Sequence, residues 1–580
     1  MKKLISKITL IVLTLALLAS CAATEPSTGN SESTAPISSS EKLEDLVITS
    51  ETELKIAYAE NASEAYSAAA DKLFNAIFSK TGIRSFTGSD EKESEVEILL
   101  GNTARTPEGL DKDLLIMDYL VKVDKNKVYI LAGSDAALER AVSDFSENYI
   151  VRGEKSITLK GDLSYVGEYD YPLDIPSING VSLKDYSVFV NEDCDKFTLY
   201  AAQNLVDYLK LNMGFAPELI KGERAEANSI VIGAESGIDF KENGYTLYTE
   251  DSKILIDAEG YMIGAGVGEL INNYIEKHAV KENADITDLP KTAAELEFSF
   301  LPTENALLLI GDGMGKNHIN AALQFDLESF AAHSIPNKTD CTTYSASVTN
   351  GSAEFTDSAA AATALSSGIK TINGYVGIDE SKNEVTNARE YAQMAGANTA
   401  IITTDAITGA TPAGFLAHVD NRNSTGAIQS QIDKLVKDGK VNAALGSLDD
   451  ALLDTSAHHL HAISAGDSDF FAMIEEGYID KHSHNNNYDG AIDAVVRFND
   501  VIAYAMEFVL IYPDTALIVT ADHETGGLTY DEVSHSYNFT STNHTNADVD
   551  LFMLGYDAEE LTSDLADNTE IGNYLCELYK

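Results

Sequence analysis

The sequence predicts an α/β fold with a doubly wound, mostly parallel sheet in its C-terminal part, preceded by two smaller α/β units. The main observation is a set of four short apolar runs, each followed by polar residues. These runs are Ala306–Ile310, Ile401–Ile402, Phe470–Ile474 and Ala516–Val519. Continuous apolar runs of this kind are typical of parallel strands buried on both faces. The second observation is a repeated order of helices and strands in the N-terminal half.

The composition is that of an ordinary folded protein with several domains. The chain has 580 residues, of which 44% are hydrophobic and 23% charged, enough apolar surface for real cores. Its formal net charge of −52 repels phosphate backbones, which excludes nucleic-acid binding by charge attraction. An anionic substrate would need a metal ion or an arginine to overcome this field.

The N-terminus predicts export and a lipid anchor. Three lysines precede the apolar run Ile8–Leu18, which is too short to span ~30 Å of hydrocarbon and is typical of a signal peptide. Leu18-Ala19-Ser20-Cys21 resembles a bacterial lipoprotein cleavage box. We therefore expect residues 1–20 to be a lipoprotein signal peptide and 21–41 a Ser/Thr/Pro-rich tether. Lipid on Cys21 would hold the protein at the extracytoplasmic face of a bacterial membrane. The alternative is an ordinary signal peptide followed by a chance cysteine.

Residues 42–165 and 180–290 have the pattern of an internal duplication. The helix predicted over Tyr66–Phe78 returns at Phe197–Leu209, and equivalent points lie 125 to 132 residues apart. A repeat of this size predicts two small α/β domains, not a solenoid. They resemble the accessory domains of bacterial carbohydrate-active enzymes, so we interpret them as spacers or as binding modules with polysaccharide as the candidate partner. Since neither copy carries a catalytic cluster, we expect residues 42–290 to be dispensable for chemistry.

The polar residues after the four runs are candidate metal ligands. In parallel sheets the ligand crevice lies at the carboxyl ends of the strands, where these residues fall. Asp480 and His484 share one face if their segment is helical, and Asp522 and His523 are adjacent, with His544 farther along the chain. Imidazole and carboxylate without thiolate suit a catalytic zinc site. By themselves, an aspartate and a histidine spaced like Asp480 and His484 more often lie on the protein surface without a metal. The zinc-site hypothesis therefore depends on their combination with Asp522 and His523.

Ser358 is the candidate nucleophile. It begins a predicted helix that Asp357 caps and Gly368 terminates. The positive end of a helix favours an alkoxide or an attached phosphate. The alternative is a capped helix without further function, and serine in any case needs a base or a metal for activation.

Six blocks of residues 303–558 resemble the alkaline phosphatase family, in the family's order. They are Gly311–Gly315, Asp357–Gly374, Ala410–Pro412, Glu475 with Asp480 and His484, Thr520–Gly527, and His544–Thr545. The resemblance implies an alkaline-phosphatase-like catalytic domain over residues 300–580.

By motif, the resemblance implies two Zn²⁺ sites, one Mg²⁺ site and hydrolysis of small-molecule phosphate monoesters through a phosphoserine at Ser358. The implied ligands are Asp480, His484 and His544 for the first zinc, Asp312, Asp522 and His523 for the second, and Asp312, Thr411 and Glu475 for magnesium. Arg422 occupies the position of the family's bidentate phosphate clamp. Lys481 is the implied substrate contact, through water.

The chain departs from the family in three respects. Gly409 stands where the family usually has Asp or His near the magnesium, so we expect a weak third site that Gly409→Asp would tighten. Glu475 and Glu476 are adjacent, and the family's spacing to Asp480 favours Glu475. The family's large surface insertions are missing, which leaves the oligomeric state open. His458, His459 and His461 match no motif, and we interpret them as a solvated or transiently metal-binding loop.

Other functions stay open at this point. A phosphodiesterase or sulfatase of the same superfamily is the nearest alternative. The Ser358 segment lacks the proline of the sulfatase motif, and Arg422 favours monoesters. A non-catalytic carbohydrate-binding lipoprotein is a third possibility, which the complete set of zinc ligands opposes.

Overall fold

The computed structural model describes residues 43–279, 284–325, 327–466, 468–564 and 566–580. The predicted signal peptide and tether therefore lie outside the described residues. Within the described part of the chain, no helix is both long and apolar enough to cross a membrane.

The first α/β unit contains eight strands and two helices. They are β1 Leu46–Thr49, β2 Leu54–Tyr58, α1 Glu64–Thr81, β3 Ser85–Ser89, β4 Val96–Leu100, β5 Tyr119–Asp124, β6 Lys127–Ala132, α2 Asp135–Tyr149, β7 Ser156–Leu159 and β8 Ser164–Gly167. Six of the strands form a sheet in the order β3-β2-β4-β6-β5-β8, in which the first four are parallel.

The second unit repeats this arrangement. Its elements are β9 Ser177–Ile178, β10 Val181–Ser182, β11 Ser187–Asn191, α3 Lys196–Met213, β12 Leu219–Gly222, β13 Ser229–Ile232, β14 Gly244–Glu250, β15 Lys253–Ala258, α4 Ile263–Glu269, α5 Glu276–Ala279, β16 Asp285–Ile286 and β17 Leu296–Glu297. Its main sheet has the order β12-β11-β13-β15-β14-β17. The strand order and the parallel or antiparallel sense match the first sheet position by position, as an internal duplication would produce.

The C-terminal part is the largest. Its elements are β18 Asn305–Gly311, α6 Lys316–Phe325, β19 Asn337–Thr342, α7 Ala346–Thr349, α8 Ser358–Ser367, α9 Ala388–Ala395, β20 Asn398–Thr403, α10 Ala410–Leu416, α11 Thr425–Lys437, β21 Ala443–Leu445, α12 Leu452–Ser464, β22 Phe470–Glu476, α13 Tyr478–His484, α14 Tyr488–Ile511, β23 Thr515–Thr520, β24 Glu524–Thr525, β25 Leu528–Asp531, β26 Ser536–Phe539, β27 His544–Thr545, β28 Val549–Leu554, α15 Ala558–Thr562, β29 Ala566–Asp567 and α16 Asn568–Leu578.

The central sheet of this part confirms the predicted fold class. Its order is β21-β20-β22-β18-β23-β28-β19-β29, and the first five strands are parallel. β18, β22 and β23 are buried along their whole length, because helices cover both faces. The four apolar runs of the sequence are neighbours here, in β20, β22, β18 and β23.

The second unit and the C-terminal part share one hydrophobic core, whereas the first unit has cores of its own. The contact runs along α14 and is close: a Cβ on Gly268 of α4 would lie 2.7 Å from the Leu510 carbonyl oxygen. Asn204 of α3 donates to the Tyr504 carbonyl at 3.2 Å. Removing residues 42–290 would therefore expose apolar side chains of this shared core, and we expect the fold of the C-terminal part to need the second unit. That residues 42–290 are dispensable for the chemistry itself stays a prediction.

The three histidines near residue 460 also differ from the sequence interpretation. They lie on helix α12, not in a loop, and His461 is fully buried. Burial lowers the pKa of His461 to about 3, so its ring is neutral. Its Nε2 lies 3.2 Å from the Asn204 side-chain oxygen of the second unit. His461 is thus a core residue at this contact.

Candidate active site

The carboxyl ends of four neighbouring parallel strands bring the predicted ligands together. Glu475 pairs in register with Ile310 of β18 and with Thr403 of β20, and Ile310 also pairs with Thr520 of β23. Asp312 directly follows β18, Asp522 lies two residues after the end of β23, and both are buried with Glu475. Residues more than 200 positions apart in the chain therefore meet at one edge of the sheet.

The first ligand cluster consists of Asp480, His484 and His544. Their ligand atoms lie within 4.8 Å of one another. The Nε2 atoms of the two histidines are 3.1 Å apart, and they lie 3.3 and 3.6 Å from Asp480 Oδ1. The Nδ1 atoms of His484 and His544 contact the carbonyl oxygens of Thr542 and Thr356 at 2.6 and 2.8 Å. Because Nδ1–H donates to these carbonyls, the lone pairs of both Nε2 atoms point into the cluster, as metal-binding histidines require.

The second cluster consists of Asp312, Asp522 and His523, all of them buried. His523 Nε2 lies 3.2 Å from Asp522 Oδ2 and 3.7 Å from Asp312 Oδ1. Burial, with added repulsion from Asp480, raises the pKa of Asp522 to about 7, and burial also drives the pKa of His523 well below its usual value. The cluster thus contains two buried carboxyl groups and an imidazole but no positively charged side chain. A bound cation would supply the missing positive charge and stabilise the ionised carboxylates.

The third group lies beside the second. Asp312 Oδ1, Thr411 Oγ1 and Glu475 Oε1 are buried and have no hydrogen-bond partner in the described part of the chain. The other Glu475 oxygen accepts a hydrogen bond from the Thr403 hydroxyl. Burial raises the pKa of Glu475 to about 8, although this hydrogen bond opposes the shift.

Glu476 has different surroundings. Its Oε1 accepts hydrogen bonds from the Thr404 hydroxyl and the Tyr478 amide, both at 3.0 Å, and its Oε2 faces Arg497 Nε at 3.7 Å. A carboxylate with these partners is positioned to stabilise the start of α13. The geometry therefore favours Glu475 as the metal ligand.

These residues fit metal ions. Buried polar atoms in folded proteins nearly always have partners, so the unpartnered oxygens of Asp312, Thr411, Glu475 and Asp522 call for an explanation. Imidazole with carboxylate suits zinc in the two clusters, and carboxylate with hydroxyl oxygen suits magnesium in the third group.

Metal removal should make the stability of the protein strongly dependent on pH. The raised pKa values of Asp522, about 7, and Glu475, about 8, mean that the folded state prefers the protonated carboxyls. That stabilisation is complete near pH 4 and is lost as pH rises through 7 and 8. We therefore expect the melting temperature of chelator-stripped protein to fall between pH 5 and pH 9, whereas that of zinc-loaded protein changes little.

Differential scanning calorimetry of both forms measures this difference. The stripped Glu475→Gln variant is the control and should show a shallower decline, since one titrating group is gone. Parallel pH profiles of stripped and loaded protein would contradict the expectation.

Ser358 lies between the clusters at the start of α8. Its Oγ is 3.2 Å from His523 Nε2, and the side chain is buried. The rings of His523 and His544 stack with centroids 3.7 Å apart, and His544 Nδ1 contacts the carbonyl of Thr356, two residues before Ser358. Both clusters therefore adjoin the segment that carries the serine. Asp357 caps the helix by accepting from the Ala360 amide at 3.0 Å. This cap holds Ser358 in the first turn, where the helix dipole favours negative charge.

Asp357 also orients Arg422. Arg422 Nη1 lies 3.2 Å from Asp357 Oδ2, which accepts in addition from the Gly374 amide at 2.9 Å. The guanidinium is about one-third exposed, so its remaining donors are accessible beside Ser358. This arrangement suits a planar clamp on phosphoryl oxygens.

Two further residues of the site were not selected from the sequence. Thr525 donates to Asp480 Oδ1 at 2.6 Å and lies 3.2 Å from His523 Nδ1, which joins the two clusters. Asp405 forms an ion pair with Lys481. Asp405 stands among the polar residues that follow the apolar runs, and Thr525 lies in the block Thr520–Gly527, but the sequence alone indicates no role for either residue.

The space beside Gly409 is already filled. A Cβ built on Gly409 would lie 2.6 Å from Asp405 Oδ2 and 2.9 Å from the Ala406 carbonyl oxygen. Contacts this short force neighbouring atoms to move. That Gly409→Asp tightens the third site stays a prediction, but the new side chain would first have to displace Asp405 and the Ala406 backbone.

Comparisons with known proteins match the part of the chain that carries this site. The alkaline phosphatase family model matches residues 303–454 and 445–570. Alkaline phosphatase 4 of Bacillus subtilis is 26% identical over 290 residues, which cover 39% of this chain and 62% of that protein. Alkaline phosphatase of Escherichia coli K12 is 34% identical over 161 residues, covering 27% of this chain and 34% of the relative.

Among solved structures, alkaline phosphatase from the Antarctic bacterium TAB5 has 25% sequence identity and a TM-score of 0.45, and the match covers 48% of this chain and 99% of that one. The chain thus spans less than two thirds of the length of its curated relatives from Bacillus subtilis. The family match and the ordered motifs lie in the same part of the molecule. Residues 303–570 therefore match the alkaline phosphatase family model and are similar to these alkaline phosphatases.

Proposed function

We propose that the protein is a metal-dependent phosphomonoester hydrolase that acts through a phosphoserine at Ser358. The observation that carries the proposal is the position of Ser358 Oγ at the start of α8, 3.2 Å from His523 of the second ligand cluster, whose ring stacks on His544 of the first. Asp480, His484 and His544 would hold one zinc, and Asp312, Asp522 and His523 the other. Asp312, Thr411 and Glu475 would hold magnesium.

When bound, the cations would supply positive charge that stabilises the developing oxyanions and lowers the pKa of the attacking hydroxyl groups. The chain itself orients the reaction. Asp357 caps the first turn of α8 and also forms an ion pair with the guanidinium of Arg422. The same carboxylate therefore positions both the proposed nucleophile and the proposed phosphate-binding arginine. Arg422 would bind two non-bridging phosphoryl oxygens and hold phosphorus in line with Ser358 Oγ.

The reaction has two displacements. Ser358 Oγ forms a bond to phosphorus while the bond to the ester oxygen breaks, and the serine proton is balanced by protonation of the departing alcohol. Water then attacks phosphorus, the bond to Oγ breaks, and inorganic phosphate leaves as the serine regains a proton. Each displacement inverts phosphorus, so the overall result is retention of configuration.

A comparison of two esters tests the proposal. We expect zinc- and magnesium-loaded protein to hydrolyse 4-nitrophenyl phosphate at least ~100-fold faster, in kcat/KM, than bis(4-nitrophenyl) phosphate. The monoester has three non-bridging oxygens and up to two negative charges, so two of these oxygens can bind Arg422 while the third faces the proposed cations. The diester has only two non-bridging oxygens and one negative charge, and the loss of one such charge-assisted contact accounts for a difference of this order. Chelator should abolish the activity and added zinc should restore it. Faster cleavage of the diester would identify a phosphodiesterase, and no cleavage of either ester by loaded protein would reject a hydrolase of this kind.

We also propose that the protein is anchored through lipid on Cys21 at the extracytoplasmic face of a bacterial membrane. The proposal rests on the N-terminal sequence, and residues 21–41 would then tether the folded units. Full-length protein should partition into the detergent phase of a Triton X-114 extract, whereas Cys21→Ser should stay in the aqueous phase. Equal partitioning would contradict the anchor.

A further inference from the structure

The side chain of Asp405 occupies the space into which a side chain at position 409 would point if that residue were not glycine. Asp405 follows β20, and its Oδ2 and Cγ lie 2.6 and 3.1 Å from the position that a Cβ on Gly409 would take. Gly409 directly precedes helix α10, which carries Thr411. The carboxylate of Asp405 therefore occupies space beside the start of α10 that a side chain at position 409 would otherwise enter.

Asp405 is linked to Glu475 through the backbone and through a hydroxyl. The Asp405 amide donates to Thr403 Oγ1 at 2.9 Å, and the same hydroxyl donates to Glu475. A Cβ on Gly477 would lie 3.1 Å from Asp405 Cβ and 3.7 Å from the unpartnered Oε1 of Glu475. Asp405 and the free oxygen of Glu475 thus line the same small space.

Asp405 also holds Lys481 at the site. The two side chains form an ion pair and are 23% and 39% exposed, so the pair is partly shielded from water. A surface pair such as Lys382 and Asp420, by contrast, is more than half exposed on both sides. Lys481 Nζ additionally lies 4.6 Å from the centre of the Tyr478 ring. Lys481 adjoins Asp480 in α13, so the ion pair bridges the third group to the first cluster.

We propose that Asp405 is a positioning residue of the third metal site: its carboxylate takes the outer position that Gly409 leaves vacant and holds Lys481 there. The inference rests on the proposed function. It adds to the third metal site a residue that follows β20, whereas Asp312 and Glu475 lie at the ends of β18 and β22. It explains how a chain with glycine at position 409 can keep a carboxylate beside Thr411 and Glu475. Bound Mg²⁺ retains several waters, which an outer carboxylate can orient.

Isothermal titration of Mg²⁺ into zinc-loaded protein tests the inference without reference to turnover. Asp405→Asn keeps the size of the side chain and removes its charge. We expect its Mg²⁺ dissociation constant to rise about 10-fold or more, the usual consequence of losing an outer partner. Zinc content and the melting temperature without Mg²⁺ should stay as in the parent. Asp45→Asn removes the acid of another Lys–Asp pair, in the first unit, and serves as the matched control with unchanged Mg²⁺ binding.

The outcomes separate this inference from the proposed function. If the parent hydrolyses the monoester but Asp405→Asn binds Mg²⁺ as tightly as the parent, the inference is overturned and the function stands. If no ester is hydrolysed but Asp405→Asn weakens Mg²⁺ binding, the function fails and the inference stands. Loss of zinc and of the fold in Asp405→Asn, or equal weakening in Asp45→Asn, would also overturn it.

Discussion

Replacing Ser358 by alanine should reduce turnover of a phosphate monoester by at least about 10³-fold, because the atom proposed to form the phosphoserine is removed. The fold should persist, since the cap of α8 comes from Asp357 and alanine is a good helix former. Both zinc ions should also remain, because the six proposed ligands are untouched. Steady-state kinetics with 4-nitrophenyl phosphate, together with metal analysis of the same sample, measure both expectations.

Ser367→Ala is the matched control for this experiment. Ser367 lies at the other end of α8 and donates only to the Thr363 carbonyl, at 2.6 Å. We expect this variant to keep turnover within a few-fold of the parent. Parent-like turnover by metal-loaded Ser358→Ala would remove Ser358 from the mechanism, and loss of zinc in that variant would attribute the effect to the site instead of the nucleophile.

Removing the second α/β unit should unfold the C-terminal part. A chain that begins at Pro302 lacks α3 and α4, which pack on α14 and α12. Tyr504, whose hydroxyl donates to Asp207 at 3.0 Å, and His461 would lose their partners. Burial of a large side chain contributes about 1.5–3 kcal/mol, so exposing a handful of them offsets the ~5–15 kcal/mol net stability of a typical domain. We expect aggregation, or no cooperative melting transition in calorimetry.

A chain that begins at Asp170 is the informative control. It lacks only the first unit, whose cores are separate, and keeps Tyr171, whose ring packs against Gly214 at the end of α3. This chain should be monodisperse in size-exclusion chromatography, bind zinc and retain monoester turnover. Our account of the shared core would be refuted if the chain from Pro302 melted like the full protein, or if both shortened chains unfolded alike.

Much of the fold and of the candidate site followed from local features of the sequence. The four apolar runs became adjacent parallel strands, because such runs are stable only when both faces are covered. As predicted, Asp357 caps the start of α8 and Gly368 ends the helix. The glycine has φ +74°, a left-handed conformation that favours glycine. The duplicated pattern produced two sheets of the same strand order, although three strands of each sheet are not evident from the sequence: β2, β3 and β8 in the first unit and β11, β12 and β17 in the second.

Local patterns could not decide contacts between distant residues. Whether Glu475 or Glu476 faces the metal group depends on Thr403, Thr404 and Arg497, which belong to other elements. Likewise, the burial of His461 depends on α3, more than 240 residues earlier in the chain. The polar sequence around it was interpreted as a solvated loop because the partner helix could not be seen.

The sequence by itself therefore determined the chemistry: which acids, histidines and serine are available, and on which strand ends and helix turns they lie. Those properties follow from side-chain type, periodicity and capping, which act over a few residues. Only the tertiary structure decided that Asp405 fills the space beside Gly409 and that the second unit completes the hydrophobic core of the C-terminal part. Both features depend on contacts between elements that are far apart in the sequence. Because protein interiors are closely packed, a space such as the one beside Gly409 can hold only one side chain.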